Sequence, residues 1–209
     1  MPIFKLGLTG GLASGKSFVA AEFERLGALV VRADRLGHEA LAPGGPAYQP
    51  AVDYFGIGIL KPNGEINRAL LAKRVFPDPA ALAVLNGFVH PAVFAREEEL
   101  FAAAPSGTLV VVEAAILIES GSYRNLDRLA VVHCSQEQQM RRALSRPGAT
   151  LEDVKARLSR QLPLAEKLRL ANYTIDTSGT EAETLRQTRA LFATLKEELR
   201  QLCDSAPSY

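Results

Sequence analysis

An octapeptide near the start of the chain, Gly10-Gly11-Leu12-Ala13-Ser14-Gly15-Lys16-Ser17, lies between the apolar run Ile3 to Thr9 and a stretch of helical period. It satisfies the pattern G-x-x-x-x-G-K-[ST] in the strand-to-helix context that this pattern requires. Glycines let backbone N–H groups converge on phosphate oxygens without interference from a Cβ, and the helix that follows adds the positive end of its dipole. Lys16 supplies a mobile charge for β and γ phosphates, and the Ser17 hydroxyl suits a magnesium ligand. The expectation is a site for ATP and Mg2+ formed by Gly10, Gly11, Leu12, Ala13, Ser14, Gly15, Lys16 and Ser17. The other reading is an ordinary glycine-rich turn.

Around this loop, short runs rich in Val, Ile and Leu alternate with longer stretches of helical period, the pattern of strands joined by helical crossovers. Five strands are predicted, Ile3 to Thr9, Ala28 to Ala33, Thr108 to Val112, Leu129 to Cys134 and Tyr173 to Asp176. Each is nearly continuous in apolar residues, as in a parallel sheet covered by helices on both faces. Gly27 is placed to end the first helix in a left-handed C-terminal position. The last helix carries Leu185, Thr188, Leu191, Leu195, Leu199 and Leu202 at spacings of three and four. The class is α/β, a five-stranded parallel sheet of the P-loop nucleotide-kinase kind.

Two stretches break the rhythm. More than seventy residues between Asp34 and Thr108 contain no convincing buried strand, too many for an ordinary crossover, which predicts an inserted helical subdomain able to hold a substrate. Within it, Asp78-Pro79 reads as a helix cap with proline at the first helical position, and His90-Pro91 is expected to interrupt or kink a helix. From Met140 to Leu170 the chain holds eight basic and three acidic residues. This local cationic arm reads as a lid. The expected division is a core of about residues 1–34, 106–139 and 171–209, the insertion at about 35–105 and the lid at about 140–170.

The rest of the composition excludes several classes. The formal charge of +1 argues against a protein that coats nucleic acid or an anionic membrane. The longest charge-free apolar stretches, Leu109 to Val112 and Ala114 to Ile118, fall far short of the roughly 20 residues a bilayer span requires. No secretory signal is recognised, so the expected location is the cytoplasm. Cys134 and Cys203 have no second cysteine at metal-ligand spacing, which disfavours a disulfide framework or zinc site.

Three groups of side chains are candidates for the chemistry. Asp34 closes the second predicted strand, at the carboxyl end where ligands collect, and could orient the proton of an attacking hydroxyl; it could equally cap the segment starting at Arg35. Glu113 ends the third strand and could hold magnesium through water, or be an ordinary polar terminus. Arg142 and Arg146 fall four apart on a helix capped by Ser135 with Gln138, so both should share one face and close on an anion together with Arg157 and Arg160. Taken singly, each arginine could instead pair with Glu152, Asp153 or Glu166. His38, His90 and His133 share no metal spacing and read as structural, with His90 alone having some claim inside the insertion. Glu97-Glu98-Glu99 reads as a solvated helix face. A GTP-binding switch is discounted, because no guanine-reading N-K-x-D occurs.

Nearly end to end, the chain resembles the dephospho-CoA kinase family. The resemblance is carried by Leu8-Thr9-Gly10-Gly11, Ala33-Asp34, Pro43-Gly44, Asn67-Arg68 to Val75-Phe76, His90-Pro91, Glu113 to Glu119 with Gly121, Gln139, Arg142, Arg146, Gln161 and Ile175 to Gly179. It implies magnesium-dependent transfer of a phosphoryl group from ATP to the ribose 3′-hydroxyl of dephospho-CoA. It also implies Asp34 as the catalytic carboxylate, Lys16, Arg142 and Arg146 around the phosphates, and Asp34, Arg68, His90 and Glu113 toward the substrate. The chain departs from the family pattern at Arg32, where aspartate is frequent, and at Phe18, Asn172 and Thr177, where threonine, aspartate and asparagine are common. A kinase for another nucleotide or nucleoside, or a non-catalytic ATP-binding switch, would keep the same loop.

Overall fold

The computed structural model describes residues 3–159 and 161–205. Its strands are β1 (Phe4–Gly10), β2 (Leu29–Arg32), β3 (Leu109–Glu113), β4 (Arg128–His133) and β5 (Tyr173–Asp176). Its α-helices are α1 (Lys16–Arg25), α2 (Ala33–Ala40), α3 (Tyr48–Phe55), α4 (Arg68–Val75), α5 (Pro79–Ala103), α6 (Gln136–Leu144), α7 (Leu151–Leu158), α8 (Leu164–Leu170) and α9 (Glu181–Ser205). The chain divides into two compact units, one running up to Arg32 and resuming at Ala104, the other Ala33–Ala103.

The first unit is built on a parallel sheet of order β2-β3-β1-β4-β5. β1 is central: Phe4, Leu6 and Leu8 on one face lie in one apolar cluster with Leu109, Val111, Ala130, Val132 and Ile175, and Gly7 and Thr9 on the other face are buried too. Val19 and Phe23 of α1 and Leu191, Leu195 and Leu199 of α9 close that cluster. Val110, Val112, Leu129 and Val131, which alternate with these residues, are buried as well, as a doubly covered sheet demands. The predicted strands are all present, four of them displaced by one residue at each end and the fifth unchanged.

Glu22 fastens α1 to α9. Its carboxylate accepts from Arg25 Nε and Nη2 at 2.7 and 2.8 Å and from Arg189 Nε at 2.7 Å. These hydrogen bonds, those of Arg25 foremost, hold the carboxyl down at about 2. Register then sets the carboxyl edge of the sheet. Leu8 stands beside Glu113 on one flank, and Gly10 stands beside Val132 on the other. The strand order reverses across β1, which opens a crevice for ligands at this edge.

The second unit is helical. Ala51, Phe55, Ile59, Ile66, Leu71 and Val75 form its core, with Ala81 of α5 packed among them. Asp78 caps α5 as expected, its Oδ1 accepting from the N–H groups of Ala80 and Ala81 at 2.9 and 3.1 Å. Of the two outcomes expected at His90-Pro91, an interruption or a kink, the interruption does not occur: α5 continues to Ala103 with Pro91 inside it.

The acidic run also differs from its expectation, since Glu97 is half-buried while Glu98 and Glu99 are exposed. Burial, with Glu98 beside it, raises the Glu97 carboxyl from 4.5 to about 7. The folded state then holds a proton that the unfolded chain has lost, so stability falls as pH rises from about 4.5 to about 7. Glu97→Gln should therefore raise Tm near pH 8 by on the order of 2 to 4 °C and leave it unchanged near pH 4. Thermal scans at the two pH values check this, and an equal shift at both would contradict it.

Candidate active site

Strand β1 delivers the chain to the phosphate loop at Gly10. A Cβ there would stand 2.3 Å from the Val132 carbonyl oxygen, so only glycine lets β1 remain paired with β4 at the mouth of the loop. The loop turns left-handed twice, at Ala13 (φ 54°) and Gly15 (φ 87°). Glycine takes this conformation freely, whereas alanine is strained there by roughly 1 kcal/mol or more. Inside the loop the Ser14 N–H donates to the Gly11 carbonyl at 3.1 Å, and Phe18 and Val19 donate to Gly15 at 3.0 and 3.2 Å. The N–H groups of Ala13, Gly15, Lys16 and Ser17 have no hydrogen-bond partner among the described residues. They form a concavity of donors at a helix N-terminus, and the Lys16 ammonium is likewise free of any ion pair among those residues.

Three side chains from distant parts of the sequence hold the loop in this shape. The Thr177 hydroxyl donates to the Ser14 carbonyl at 2.7 Å. It accepts from Arg142 Nη1 at 3.1 Å, while Arg142 Nη2 donates to the Thr177 carbonyl at 2.7 Å. On the other side of the loop, Gln161 Oε1 accepts from the Leu12 N–H at 2.9 Å. Sequence reasoning matched Gln161 to a family pattern but assigned it no role. Thr177 stood inside the matching run Ile175 to Gly179 as a departure with no role assigned.

Ser17 Oγ donates to Glu113 Oε1 at 2.8 Å. The hydroxyl proton is thereby directed at the carboxylate, and the oxygen lone pairs are left for a cation. Hydroxyl and carboxylate oxygens are hard donors, so the pair fits magnesium held directly by Ser17 and through water by Glu113. Glu113 is 8% exposed, and its second oxygen faces Arg32 Nε at 3.7 Å. Arg32 also binds Glu24, Nη2 to Oε2 at 2.7 Å. The cation at position 32 thus balances two carboxylates at the sheet edge.

The arginine arm differs from its sequence reading. Helix α6 has the predicted capping box of Ser135 and Gln138 but ends at Leu144, so Arg142 and Arg146 do not share a helical face. A residue before proline is turned away from the helical region, and Arg146 precedes Pro147. Arg142 is committed to Thr177. Arg146 instead lines a cavity of about 190 Å³ together with Arg157, Asp153 and Leu12 of the phosphate loop. Arg160 lies outside the described residues.

The remaining candidates belong to the helical unit. Strand β2 ends at Arg32, and Asp34 sits in the first turn of α2 rather than closing the strand. It is exposed and makes no hydrogen bond or ion pair among the described residues. His38, one turn further along α2, is held below its usual range by burial and by the charge of Arg68, against the opposing charge of Asp34. Arg68 begins α4, capped by Asn67 Oδ1, which accepts from the Leu70 N–H at 3.2 Å. His90 is half-buried on α5, 6.1 Å from the Phe94 ring, and burial lowers its pKa. Arg68 and Asp34 therefore both act on His38, with opposite sign, while the lowering at His90 comes from burial alone. Among the described residues no helix is long and apolar enough to cross a membrane.

Comparison with known proteins agrees with this geometry. The family model for dephospho-CoA kinase matches residues 4–183. The dephospho-CoA kinase of Geobacillus kaustophilus is 43% identical over 197 residues, covering 92% of this chain and 95% of that one. That of Aquifex aeolicus is 39% identical over 194 residues, covering 93% and 98%. The solved dephospho-CoA kinase of Campylobacter jejuni superposes with a TM-score of 0.70 at 26% identity, covering 94% of this chain and 98% of its own. A loop built to grip phosphates, on a sheet of this order, and relatives alike over almost their whole length lead to one assignment: the chain belongs to the dephospho-CoA kinase family.

Proposed function

We propose that this chain transfers the γ-phosphoryl group of ATP to the ribose 3′-hydroxyl of dephospho-CoA, yielding CoA and ADP, the last step of coenzyme A synthesis. The observation that carries the reading is the cradle of unpartnered N–H groups at Ala13, Gly15, Lys16 and Ser17, with an uncommitted Lys16 beside it. Membership of the family supplies the acceptor. The proposed setting is the cytoplasm, in keeping with two cysteines that are both free thiols.

In this reading the loop N–H groups and Lys16 bind the β and γ phosphates and hold the terminal phosphorus in line with the acceptor oxygen. Ser17 and Glu113 would hold magnesium, which when bound offsets phosphate charge. Asp34 orients the acceptor hydroxyl and takes its proton. Two features support that role: the carboxylate has no hydrogen-bond or ion-pair partner among the described residues, and a single residue, Ala33, separates it in sequence from Arg32 at the end of β2. Arg146 and Arg157, converging on the cavity beside Leu12, stabilise charge on the phosphoryl group in transfer. Arg142 acts differently, holding Thr177 and through it the loop. The helical unit Ala33–Ala103 binds the acceptor, and the segment from Met140 to Leu170 serves as the lid that excludes water.

The first test is ADP release in a coupled assay, with dephospho-CoA, AMP and nucleosides as acceptors. Turnover should be seen with dephospho-CoA; turnover on another acceptor in its place would reassign the substrate, and ATP binding without transfer to any acceptor would indicate a switch. Asp34→Asn should lower kcat by roughly 10²-fold or more while ATP affinity stays within a factor of about two, because the base acts only on the acceptor. Arg146→Ala and Arg157→Ala should each lower kcat by about tenfold to 10³-fold in the same assay. Unchanged rates in both would remove the lid arginines from the mechanism.

A further inference from the structure

Two consecutive residues at the foot of the arginine arm are tied to different parts of the core. Gln161 Oε1 accepts from the Leu12 N–H at 2.9 Å, at the apex of the phosphate loop. The N–H of Leu162 donates to Glu119 Oε1 at 3.2 Å. Glu119 lies in the segment that follows β3, and the same oxygen is 2.7 Å from the ammonium of Lys167 on α8. Lys167 is 1% exposed, an unusual place for a lysine, and its charge is matched by this one carboxylate. A buried ion pair of this kind costs much in desolvation, so it adds little net stability, while removing one partner alone strands the charge of the other.

We propose that Gln161 is a positioning residue for the phosphate loop, held in register by the buried Glu119–Lys167 pair through the neighbouring Leu162. The need for it lies at Ala13. A non-glycine residue in the left-handed region persists only where its surroundings over-determine it. Thr177 fixes the chain on the C-terminal side of Ala13, through the Ser14 carbonyl, and Gln161 fixes the N-terminal side, through the Leu12 N–H. With both ends held, the N–H groups of Ala13, Gly15, Lys16 and Ser17 stay turned outward together. Leu12 N–H, being spent on Gln161, is not one of the phosphate donors.

The same contact ties the loop to the lid. Gln161 stands three residues beyond the end of α7, the helix that carries Arg157. The foot of the lid is thus anchored to the loop whose phosphates its arginines are to cover, and Glu119 with Lys167 prevents that foot from sliding. Gln161 touches no reacting atom in this scheme. It acts on ATP through Leu12.

This inference rests on the ATP reading above, and its test separates the two. Binding of a fluorescent ATP analogue and steady-state kinetics with dephospho-CoA are measured for the wild-type chain, for Gln161→Leu, for Lys167→Met/Glu119→Leu and for the triple variant. Gln161→Leu keeps the volume and loses the acceptor, and Gln161 is a half-buried side chain whose replacement leaves the core intact. Its ATP dissociation constant should rise roughly five- to tenfold, as for the loss of one hydrogen bond, with the KM for dephospho-CoA within about twofold. The double change removes the ion pair without stranding a buried charge and should weaken ATP in the same direction. Because both act through Leu12, the triple variant should be no weaker than Gln161→Leu alone. A wild-type chain that binds no ATP overturns the underlying reading and the inference with it. A wild type that binds ATP, with Gln161→Leu equal to it or with both substrates' KM values shifted alike, overturns the positioning role alone. Additive losses in the triple variant overturn the anchoring by Glu119 and Lys167.

Discussion

Several backbone N–H groups left without partners, side by side, are tolerable only where water or an anion reaches them, since a buried unsatisfied donor costs about 1 to 3 kcal/mol. The donors of Ala13, Gly15, Lys16 and Ser17 are gathered under that condition, and much of the first unit can be understood as what keeps them gathered. β1 must be central, so that its carboxyl end is flanked by β3 and β4 and cannot drift. Gly10 must lack a side chain for the strand to stay paired while the chain turns away. α1 must begin at once, at Lys16, so that its free N-terminal donors join those of the loop.

The charges at the carboxyl edge are organised around the same donors. A single oxygen, Ser17 Oγ, has to serve both a cation and a carboxylate, and directing its proton to Glu113 makes both possible. Glu113, nearly buried, needs a counter-charge of its own when no metal is present. Arg32 meets that need, and its stronger contact with Glu24 keeps the guanidinium from saturating Glu113. An aspartate at position 32 would place a like charge beside Glu113. Arginine at this position therefore balances charge at the edge.

How much of this could be read from the sequence follows from the range of each interaction. Local signals were reliable: the octapeptide, the apolar strands, the Asp78 cap and the Ser135–Gln138 box all act within a few residues, and all are found. Where two local signals competed, the reading chose wrongly. The i, i+4 spacing of Arg142 and Arg146 suggested a shared face, but Pro147 ends the helix before Arg146 and sends the two side chains to different tasks. Pro91, by contrast, was expected to interrupt or kink a helix, and α5 runs through it to Ala103. Glu97 in a run of glutamates carried no mark of its partial burial, which depends on how α5 lies on its neighbours.

The interactions that hold the loop had no local signature at all. Thr177 reaches Ser14 across 163 residues and Gln161 reaches Leu12 across 149, and nothing near either residue announces the pairing. Yet the chemistry of Thr177 shows what its position requires. One hydroxyl donates to the Ser14 carbonyl and accepts from Arg142 at the same time, which a side-chain amide could also do with its separate donor and acceptor atoms. Asn172 follows the same logic. Its side-chain oxygen accepts from the Leu129 N–H at 2.8 Å while its backbone N–H donates to the Leu129 carbonyl at 2.9 Å, and a carboxylate would accept equally well. What these positions require is a donor or an acceptor at a fixed place, and more than one residue type can supply it.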